Sequence, residues 1–286
     1  MFDRIARVCR GVATRRNVEG TREMLNGKIC IITGAGSGIG RATAMEMARQ
    51  GAQAVVVADI NDLQGQAVAR SVQELGVEGV FVHCDVSKEL EVANMMEDID
   101  RRFGRLDVLH NNAGIVDAQI SDARTVFDIE ERDWSRVFDV NVKGSWLCIK
   151  YGKDLLAKSQ SGVVVNCASI SSFVHFAAES AYAASKAAIL GLTRTAAVDL
   201  APFGIRCVAY APGTIATPMN DRIWEQADDQ AAMHRALTGT HLVPRLGTPE
   251  EVAKFVCFLA SDDAAFITGS VHIIDGGALA WRGTME

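Results

Sequence analysis

The stretch Lys28-Ile-Cys-Ile-Ile-Thr33-Gly34-Ala-Gly-Ser-Gly38-Ile-Gly40 runs directly into Arg41-Ala-Thr-Ala-Met-Glu-Met-Ala-Arg49, and these two segments decide the fold. Residues 28–33 form a short β-branched apolar run that predicts a buried strand, whereas residues 41–49 favour a helix. The glycines between them permit positive φ angles and a close approach of phosphate to the backbone. Because a helix start presents free N–H groups and a positive dipole end, the stretch predicts a phosphate-binding turn.

A second apolar run ends in an acidic residue at the spacing of a ribose-binding carboxylate. Residues 54–59 read Ala-Val-Val-Val-Ala-Asp, and Asp59 follows Gly40 by nineteen positions. A carboxylate about 20 residues after such a glycine turn binds the ribose hydroxyls of a dinucleotide. The two segments therefore predict one dinucleotide-binding unit.

Three polar residues further along the chain predict a proton-transfer site. Tyr182 and Lys186 are four residues apart, and Ser169 closes the apolar run 163–169 thirteen residues before Tyr182. If residues 181–201 form a helix, Tyr182 and Lys186 share one of its faces. Lowering a phenol pKa by about three units takes about 4 kcal/mol, much of which a neighbouring ammonium can supply.

Together these motifs make the chain resemble the short-chain dehydrogenase/reductase family from about residue 25 to residue 280. The resemblance rests on Thr33-Gly-x-x-x-Gly-x-Gly40, Asp85-Val86, Asn111-Asn-Ala-Gly114, Asn141, Ser169, Tyr182, Lys186 and Pro212-Gly-x-x-x-Thr217. It implies a seven-stranded parallel sheet in the order 3-2-1-4-5-6-7. Ligands of such a sheet bind outside the carboxyl ends of its strands, where the motifs lie.

The bulk properties agree with one α/β domain. A chain of 286 residues with 49% hydrophobic content can bury one sizeable core. Nearly continuous apolar runs predict parallel strands covered by helices on both faces, in a Rossmann-like, doubly wound arrangement. The predicted strands lie near residues 28–33, 53–59, 79–84, 106–110, 162–168, 205–210 and 270–274.

Composition also limits the partners and the compartment. The net charge is −6 with no extended basic run, which argues against nucleic acid, and no apolar stretch approaches the about 20 residues of a membrane span. The seven cysteines never form a CxxC pair, which favours free thiols in a reducing, cytoplasmic compartment. The six histidines show no HxH or HExxH spacing, so no catalytic metal is predicted.

Residues 1–24 differ from the rest of the chain because arginines dominate them. Three interpretations stay open: an organelle-targeting peptide, a packed or disordered arm, and a misassigned start, since Met24-Leu-Asn-Gly-Lys resembles the usual family beginning. We favour a dispensable extension. Residues 25–286 then form the catalytic domain, with a substrate lid at about residues 215–245.

The cofactor prediction is NAD, because Asp59 can accept both ribose hydroxyls and its charge repels the 2′-phosphate of NADP. NADP-preferring members often carry Lys or Arg where this chain has Ser37, Ile60 and Asn61. By resemblance, the cofactor-binding residues are Gly34, Ser37, Gly38, Ile39, Gly40, Asp59, Ile60, Asp85, Val86, Asn112, Ala113, Gly114, Tyr182, Lys186, Pro212, Gly213, Thr214, Ile215 and Thr217.

The same resemblance assigns four catalytic residues. Ser169 would hydrogen-bond the substrate oxygen, and Tyr182 would take or donate the hydroxyl proton as hydride moves to or from the nicotinamide. Lys186 would lower the pKa of Tyr182 and hold the nicotinamide ribose. Asn141, through a helix distortion and a bound water, would connect Lys186 to solvent.

The substrate prediction is a hydrophobic secondary alcohol or its ketone, such as an alicyclic alcohol, a dihydrodiol or a steroid. The expected pocket is lined by Ile115, Ser171, His175, Phe176, Glu179 and Met219. The alternative is a 3-oxoacyl-[acyl-carrier-protein] reductase, against which Asp59 and the lack of a clear Arg/Lys cluster argue. A non-catalytic dinucleotide-binding regulator is a third class. Apolar helix faces and the resemblance predict a homotetramer.

Overall fold

The predicted apolar runs form one parallel sheet in a computed structural model that describes residues 23–220, 229, 238–239 and 241–280. The strands are β1 (Ile29–Thr33), β2 (Ala54–Asp59), β3 (Glu78–His83), β4 (Val108–Asn111), β5 (Val163–Cys167), β6 (Arg206–Pro212) and β7 (Val271–Ile274). Their order is β3-β2-β1-β4-β5-β6-β7, and every neighbouring pair is parallel. The predicted order is confirmed.

Helices cover both faces of the sheet, as the fold prediction required. They are α1 (Gly38–Arg49), α2 (Asp62–Glu74), α3 (Glu89–Phe103), α4 (Glu131–Phe138), α5 (Gly144–Ala157), α6 (Ser180–Leu200) and α7 (Pro249–Ala260). In β1, Cys30 and Ile32 pack with α1, α2 and α7, whereas Ile29 and Ile31 pack with α3, α5 and α6. Successive side chains of a strand point to opposite faces, so a run buried on both faces is apolar throughout.

A π-helical turn, Asp139–Lys143, separates α4 from α5. Asn141 lies inside this turn. The helix distortion that the family resemblance implied is therefore present, and it divides the segment into two α-helices. Such turns occur often at functional sites, because the extra residue redirects side chains.

Two of the predicted segments fall mainly outside the described residues. Residues 1–22 of the basic extension are among these, as are 221–228, 230–237 and 240 of the predicted lid. The six cysteines that the structure describes are buried and unpaired. Within the described ranges, none of the helices combines the length and the apolar character that a membrane crossing needs.

The sheet brings the glycine-rich turn and the loop after β4 side by side at its carboxyl edge. The two loops are adjacent because β1 pairs with β2 on one side and with β4 on the other. The strand order therefore reverses between β1 and β4, and ligands of such sheets bind at this point. The side chain of Asn112 joins the two loops by donating to the carbonyl oxygens of Thr33 (3.0 Å) and Gly34 (3.1 Å). The cleft of this protein opens at that point.

Candidate active site

The glycine-rich turn has the backbone geometry that a bound phosphate requires. Gly34 and Gly38 take φ angles of +63° and +52°, which disfavour any residue with a Cβ. Ser37 is the N-cap of α1, but its side chain makes no capping hydrogen bond. The first N–H groups of α1 therefore remain available to an anionic ligand at the positive end of the helix.

Gly40 serves packing rather than lining the cleft. A Cβ at this position would lie 2.2 Å from the carbonyl oxygen of Gly34 and 2.6 Å from Nδ2 of Asn112. The predicted contact of Gly40 with the cofactor is thus replaced by close packing of α1 against the turn. Close packing of the helix against the strand is the role of the third glycine in such a turn.

Asp59 stands at the end of β2 with its carboxylate fixed by two backbone donors. Its Oδ2 accepts from the N–H of Gly36 (2.7 Å), and its Oδ1 accepts from the N–H of Asn61 (2.8 Å). Each carboxylate oxygen has a further lone pair, so both can still accept a hydrogen bond from a hydroxyl group. The residue lines the cleft beside Ser37 and Ile60, which fits a ribose with free hydroxyls.

Asp85 and Val86 form the next part of the cleft wall, after β3. The Oδ1 of Asp85 accepts from both the N–H (2.9 Å) and the Oγ (2.7 Å) of Ser87. These bonds make Asp85 a strand-end turn residue as well as a lining residue. The adenine contact that the resemblance implies stays a proposal.

Asn141 holds the loop that follows β4. Its Oδ1 accepts from the N–H of Ile115 (2.9 Å), while its Nδ2 donates to the carbonyl of Ile115 (3.0 Å) and to Ser185 Oγ (2.9 Å). A Cβ built at Gly114 would lie 3.3 Å from Asn141 Oδ1 and 3.5 Å from Lys186 Nζ. Asn141 and Lys186 are therefore neighbours across Gly114, although Asn141 is buried behind the cleft wall.

Ser169, Tyr182 and Lys186 meet at the opposite wall, between β5 and α6. Ser169 Oγ accepts from the N–H of Ser171 at 3.1 Å and lies beside the Tyr182 hydroxyl, whose pKa it lowers. Lys186 Nζ donates to the carbonyl of Cys167 (2.7 Å) and lies 5.7 Å from the centre of the Tyr182 ring. The helical pairing of Tyr182 with Lys186 is present as predicted.

The pKa of Tyr182 differs from the sequence expectation. Burial raises this pKa above its usual value, and the charges of Cys167, Glu179 and Asp117 raise it further, while the bond with Ser169 lowers it. Burial of the phenol is the main cause of this rise, and the Lys186 ammonium donates to the Cys167 carbonyl. Tyr182 thus holds its proton at neutral pH, which suits donation to a substrate oxygen.

One cleft contains the predicted site residues, with three exceptions. It has a volume of about 680 Å³, and every predicted cofactor residue except Gly40 lines it, as do Ile115, Ser171, Phe176, Glu179 and Met219. Asn141 lies behind the wall. His175 is exposed and does not line the cleft, because its loop turns it outward.

Sequence reasoning missed a group of basic side chains. Lys88, Arg132 and Arg136 line the cleft, all three on its exposed rim. The absence of an Arg/Lys cluster was read from the linear sequence, where Lys88 and Arg132 stand far apart. Only the tertiary structure brings them to one opening.

Sequence reasoning also missed Asp117, which holds the start of α6. Its side chain is fully buried and accepts from the N–H groups of Ala181 (3.1 Å) and Tyr182 (2.8 Å). A local capping pattern could not reveal it, because Asp117 and Tyr182 are 65 positions apart. The loop after β4 is thereby tied to the backbone of Tyr182.

Replacing Asp117 by alanine is expected to lower kcat/KM about tenfold to a hundredfold, because the Tyr182 backbone loses its anchor and small misplacements are costly. Loss of bonds to a carboxylate should also reduce the free energy of unfolding by about 1.5–3 kcal/mol. Steady-state kinetics on the folded fraction and urea unfolding measure the two effects.

The matched control for that variant is Asp107→Ala. Asp107 is also a buried carboxylate, but it accepts from the N–H of Ile29 (2.8 Å) and from Ser159 Oγ (2.5 Å) at the opposite edge of the sheet. This control should lose stability and keep its kcat/KM. An equal loss of kcat/KM in both variants would show that Asp117 acts only through global stability.

Known proteins resemble this chain over most of its length. A family model described as enoyl-(acyl carrier protein) reductase matches residues 34–278. A 3beta-hydroxysteroid dehydrogenase of Mediterraneibacter gnavus is 38% identical, over 87% of this chain and 94% of its own length. The 3-oxoacyl-[acyl-carrier-protein] reductase FabG of Thermotoga maritima is also 38% identical, over 88% and 98% of the two chains.

Two further matches agree with these. A cyclopentanol dehydrogenase of a Comamonas species is 36% identical, over 90% of this chain and 98% of its own length. The crystal structure of a short-chain type dehydrogenase/reductase from Mycobacterium marinum superposes with a TM-score of 0.81 at 31% identity, covering 90% of this chain and 97% of that one. The relatives therefore share the whole domain rather than an isolated motif.

Proposed function

Since the chain belongs to the short-chain dehydrogenase/reductase family, we propose that it interconverts a hydrophobic secondary alcohol and its ketone with NAD(H). The observation that carries this proposal is the meeting of Ser169, Tyr182 and Lys186 at one wall of a cleft whose other end is Asp59. A proton-transfer pair and a ribose-binding carboxylate in one cleft are what such a reaction requires.

The chain's own residues handle the substrate oxygen and its proton. Ser169 is positioned by the N–H of Ser171 and donates to the substrate oxygen. The Tyr182 hydroxyl gives its proton to that oxygen in reduction and removes it in oxidation. Lys186, buried beside the Tyr182 ring, favours the phenolate that remains after donation.

The proposed cofactor is NAD rather than NADP. When bound, the nicotinamide supplies the hydride acceptor for oxidation or the donor for reduction. The glycine turn and the first N–H groups of α1 would hold its phosphates, and Asp59 its adenosine ribose. A 2′-phosphate near Asp59 would place like charges within a few ångströms in a partly desolvated site.

The apolar side of the cleft supports a hydrophobic substrate. Ile115, Val116, Phe176, Ile215 and Met219 line the region around the catalytic residues. Ligand sites of this type combine an apolar wall with a few placed polar groups. The relatives that act on a hydroxysteroid and on cyclopentanol support an alicyclic alcohol for this chain.

A second candidate is reduction of a 3-oxoacyl thioester on an acyl carrier protein. The Thermotoga relative supports it, and so does the basic rim of Lys88, Arg132 and Arg136. A positive rim attracts an acidic carrier. Asp59 argues for the NAD-linked alcohol instead, because such reductases usually prefer NADPH.

The experiment that tests the proposal measures reduced-nicotinamide absorbance with NAD and NADP, against alicyclic, aromatic, steroid and sugar alcohols. An acetoacetyl thioester is assayed in parallel with NADH and NADPH. NAD-linked oxidation of a hydrophobic secondary alcohol is expected. Turnover restricted to the thioester with NADPH would establish the second candidate, and binding of cofactor without any turnover would favour a regulator.

The assembly proposed for this protein is a homotetramer in the cytoplasm. Trp146 on α5 and Val198 on α6 are exposed, as is Phe266 before β7. Exposed apolar side chains on neighbouring helices support pairing between subunits. Sedimentation velocity at micromolar concentration should give a tetramer, and a clean monomer would contradict this proposal.

A further inference from the structure

Two polar side chains stand out in the apolar part of the cleft, immediately beside the catalytic serine. Glu179 and Ser171 both line the cleft, and Ser171 Oγ donates to Glu179 Oε2 at 3.2 Å. The N–H of Ser171 in turn donates to Ser169 Oγ at 3.1 Å. Glu179 is therefore connected to the catalytic serine through one residue and two hydrogen bonds.

The surroundings leave the Glu179 carboxyl with capacity for a further partner. Its Oε1 accepts no hydrogen bond from the part of the chain that the structure describes. A half-buried carboxyl in an apolar pocket is unfavourable unless its oxygens are paired. A hydrogen-bond donor that enters the cleft as part of the substrate can bond to this Oε1 atom.

We propose that Glu179 and Ser171 form a subsite for a second hydroxyl group of the substrate. This inference rests on the proposed function and narrows its substrate class to diols and hydroxyketones with the second hydroxyl close to the reacting carbon. Ser169 and Tyr182 would bind the reacting oxygen. The Glu179 carboxyl and the Ser171 hydroxyl would bind the other.

The charges that face Glu179 favour a hydroxyl over an ammonium group. Arg124 already provides a positive charge near the carboxyl, so a cationic ligand is not needed to compensate it. Burial raises the pKa of Glu179 and the charge of Asp117 raises it further, whereas the bond from Ser171 and the charge of Arg124 lower it. A carboxyl oxygen accepts a hydrogen bond in either protonation state, which complements the O–H donor of a hydroxyl.

The loop that carries Glu179 is held in a strained conformation. Ala178, the preceding residue, has a φ of +61°, which is unfavourable for a residue with a Cβ. Asp117 and the start of α6 fix the other side of Glu179. A fixed carboxyl discriminates between ligands better than a mobile one, because it loses less conformational entropy when a ligand binds.

The test compares cyclohexanol with the vicinal cyclohexanediols, using NAD and the full-length protein. The wild type should have a kcat/KM about tenfold to a hundredfold higher for a diol, since a site built to bind a hydroxyl rejects its analogue. In Glu179→Leu this preference should fall at least about tenfold. Glu179→Gln should retain part of it, because an amide still offers a donor and an acceptor.

The matched control is His175→Ala, a change in the same loop at an exposed residue outside the cleft. It should leave kcat/KM and the diol preference as in the wild type. If Glu179→Leu does not fold by thermal melting, Ser171→Ala supplies the test and should also reduce the diol preference. An equal loss for cyclohexanol and the diol would overturn the subsite and leave Glu179 a loop-positioning residue.

Three other outcomes separate the proposed function from the proposed subsite. No oxidation of cyclohexanol or the diols by the wild type, with turnover only of the acetoacetyl thioester, would refute the proposed function itself. Oxidation of both alcohols without a diol preference would refute only the subsite. A wild type that prefers an amino alcohol to the diol, with that preference lost in Glu179→Gln, would identify a cation subsite instead.

Discussion

Replacing Tyr182 by phenylalanine is expected to lower kcat by about 10³-fold, while the Kd for the nicotinamide cofactor changes less than about threefold. In the proposed mechanism, the phenol hydroxyl exchanges a proton with the substrate oxygen beside Ser169. The ring and its contact with Lys186 remain in the variant. Single-turnover kinetics and quenching of protein fluorescence by the cofactor measure the two quantities.

Tyr151→Phe is the matched control for this variant. The hydroxyl of Tyr151 bonds Glu89 at 2.6 Å, and Tyr151 lies outside the cleft. It should keep wild-type kcat. A Tyr182→Phe variant with more than about a tenth of wild-type kcat would remove Tyr182 from the role of proton donor.

The raised pKa of Tyr182 also fixes the sign of the pH dependence. Oxidation needs the phenolate, and burial displaces this pKa upward, so kcat/KM for oxidation should rise with pH through and above neutrality. Reduction needs the phenol and should stay level at neutral pH, then decline in strong alkali. An oxidation profile already level at pH below about 6 would show that bound ligands reverse the effect of burial.

Replacing Asp59 by serine is expected to lower kcat/KM with NAD about tenfold to a hundredfold and to raise it with NADP. The loss follows because hydrogen bonds from ribose hydroxyls to a carboxylate contribute about 1.5–3 kcal/mol each, and serine restores only part of that. The gain follows because the charge opposing a 2′-phosphate is removed. Cofactor affinities from fluorescence titration provide a second readout that does not depend on turnover.

Asp62→Ser supplies the control for the cofactor switch. Asp62 is an exposed carboxylate three residues further on, and it pairs with His83 at 2.7 Å instead of lining the cleft. Its replacement should leave the NAD preference unchanged. If Asp59→Ser also kept the wild-type ratio of NAD to NADP affinity, Asp59 would serve only to anchor the Gly36 and Asn61 N–H groups.

Local patterns in the sequence were enough for the sheet. Predicted strand limits such as 28–33 and 53–59 differ from β1 and β2 by one residue each. Strands buried on both faces carry this signal in their own residues, as uninterrupted apolar runs that end at glycine or aspartate. The pairing of Tyr182 with Lys186 was predictable for the same reason, since both lie on one helix.

Contacts between distant segments were not predictable in this way. The π turn around Asn141, the Asp117 bonds to α6 and the turn of Lys186 toward the Cys167 carbonyl each depend on packing of separate elements. The rise in the pKa of Tyr182 depends on the same packing. Proximity to Lys186 can be counted along a helix, whereas desolvation depends on everything that surrounds the phenol.

The sequence alone therefore determined the sheet, the glycine-rich turn and the helical pairing of Tyr182 with Lys186, because each depends on neighbours within a few residues. Only the tertiary structure decided that His175 lies outside the cleft lining, that Glu179 lies in it beside Ser171, and that Lys88, Arg132 and Arg136 share its exposed edge. The orientation and burial of a side chain are set when distant segments pack against one another. These two properties decide which side chains can contact a substrate in the cleft.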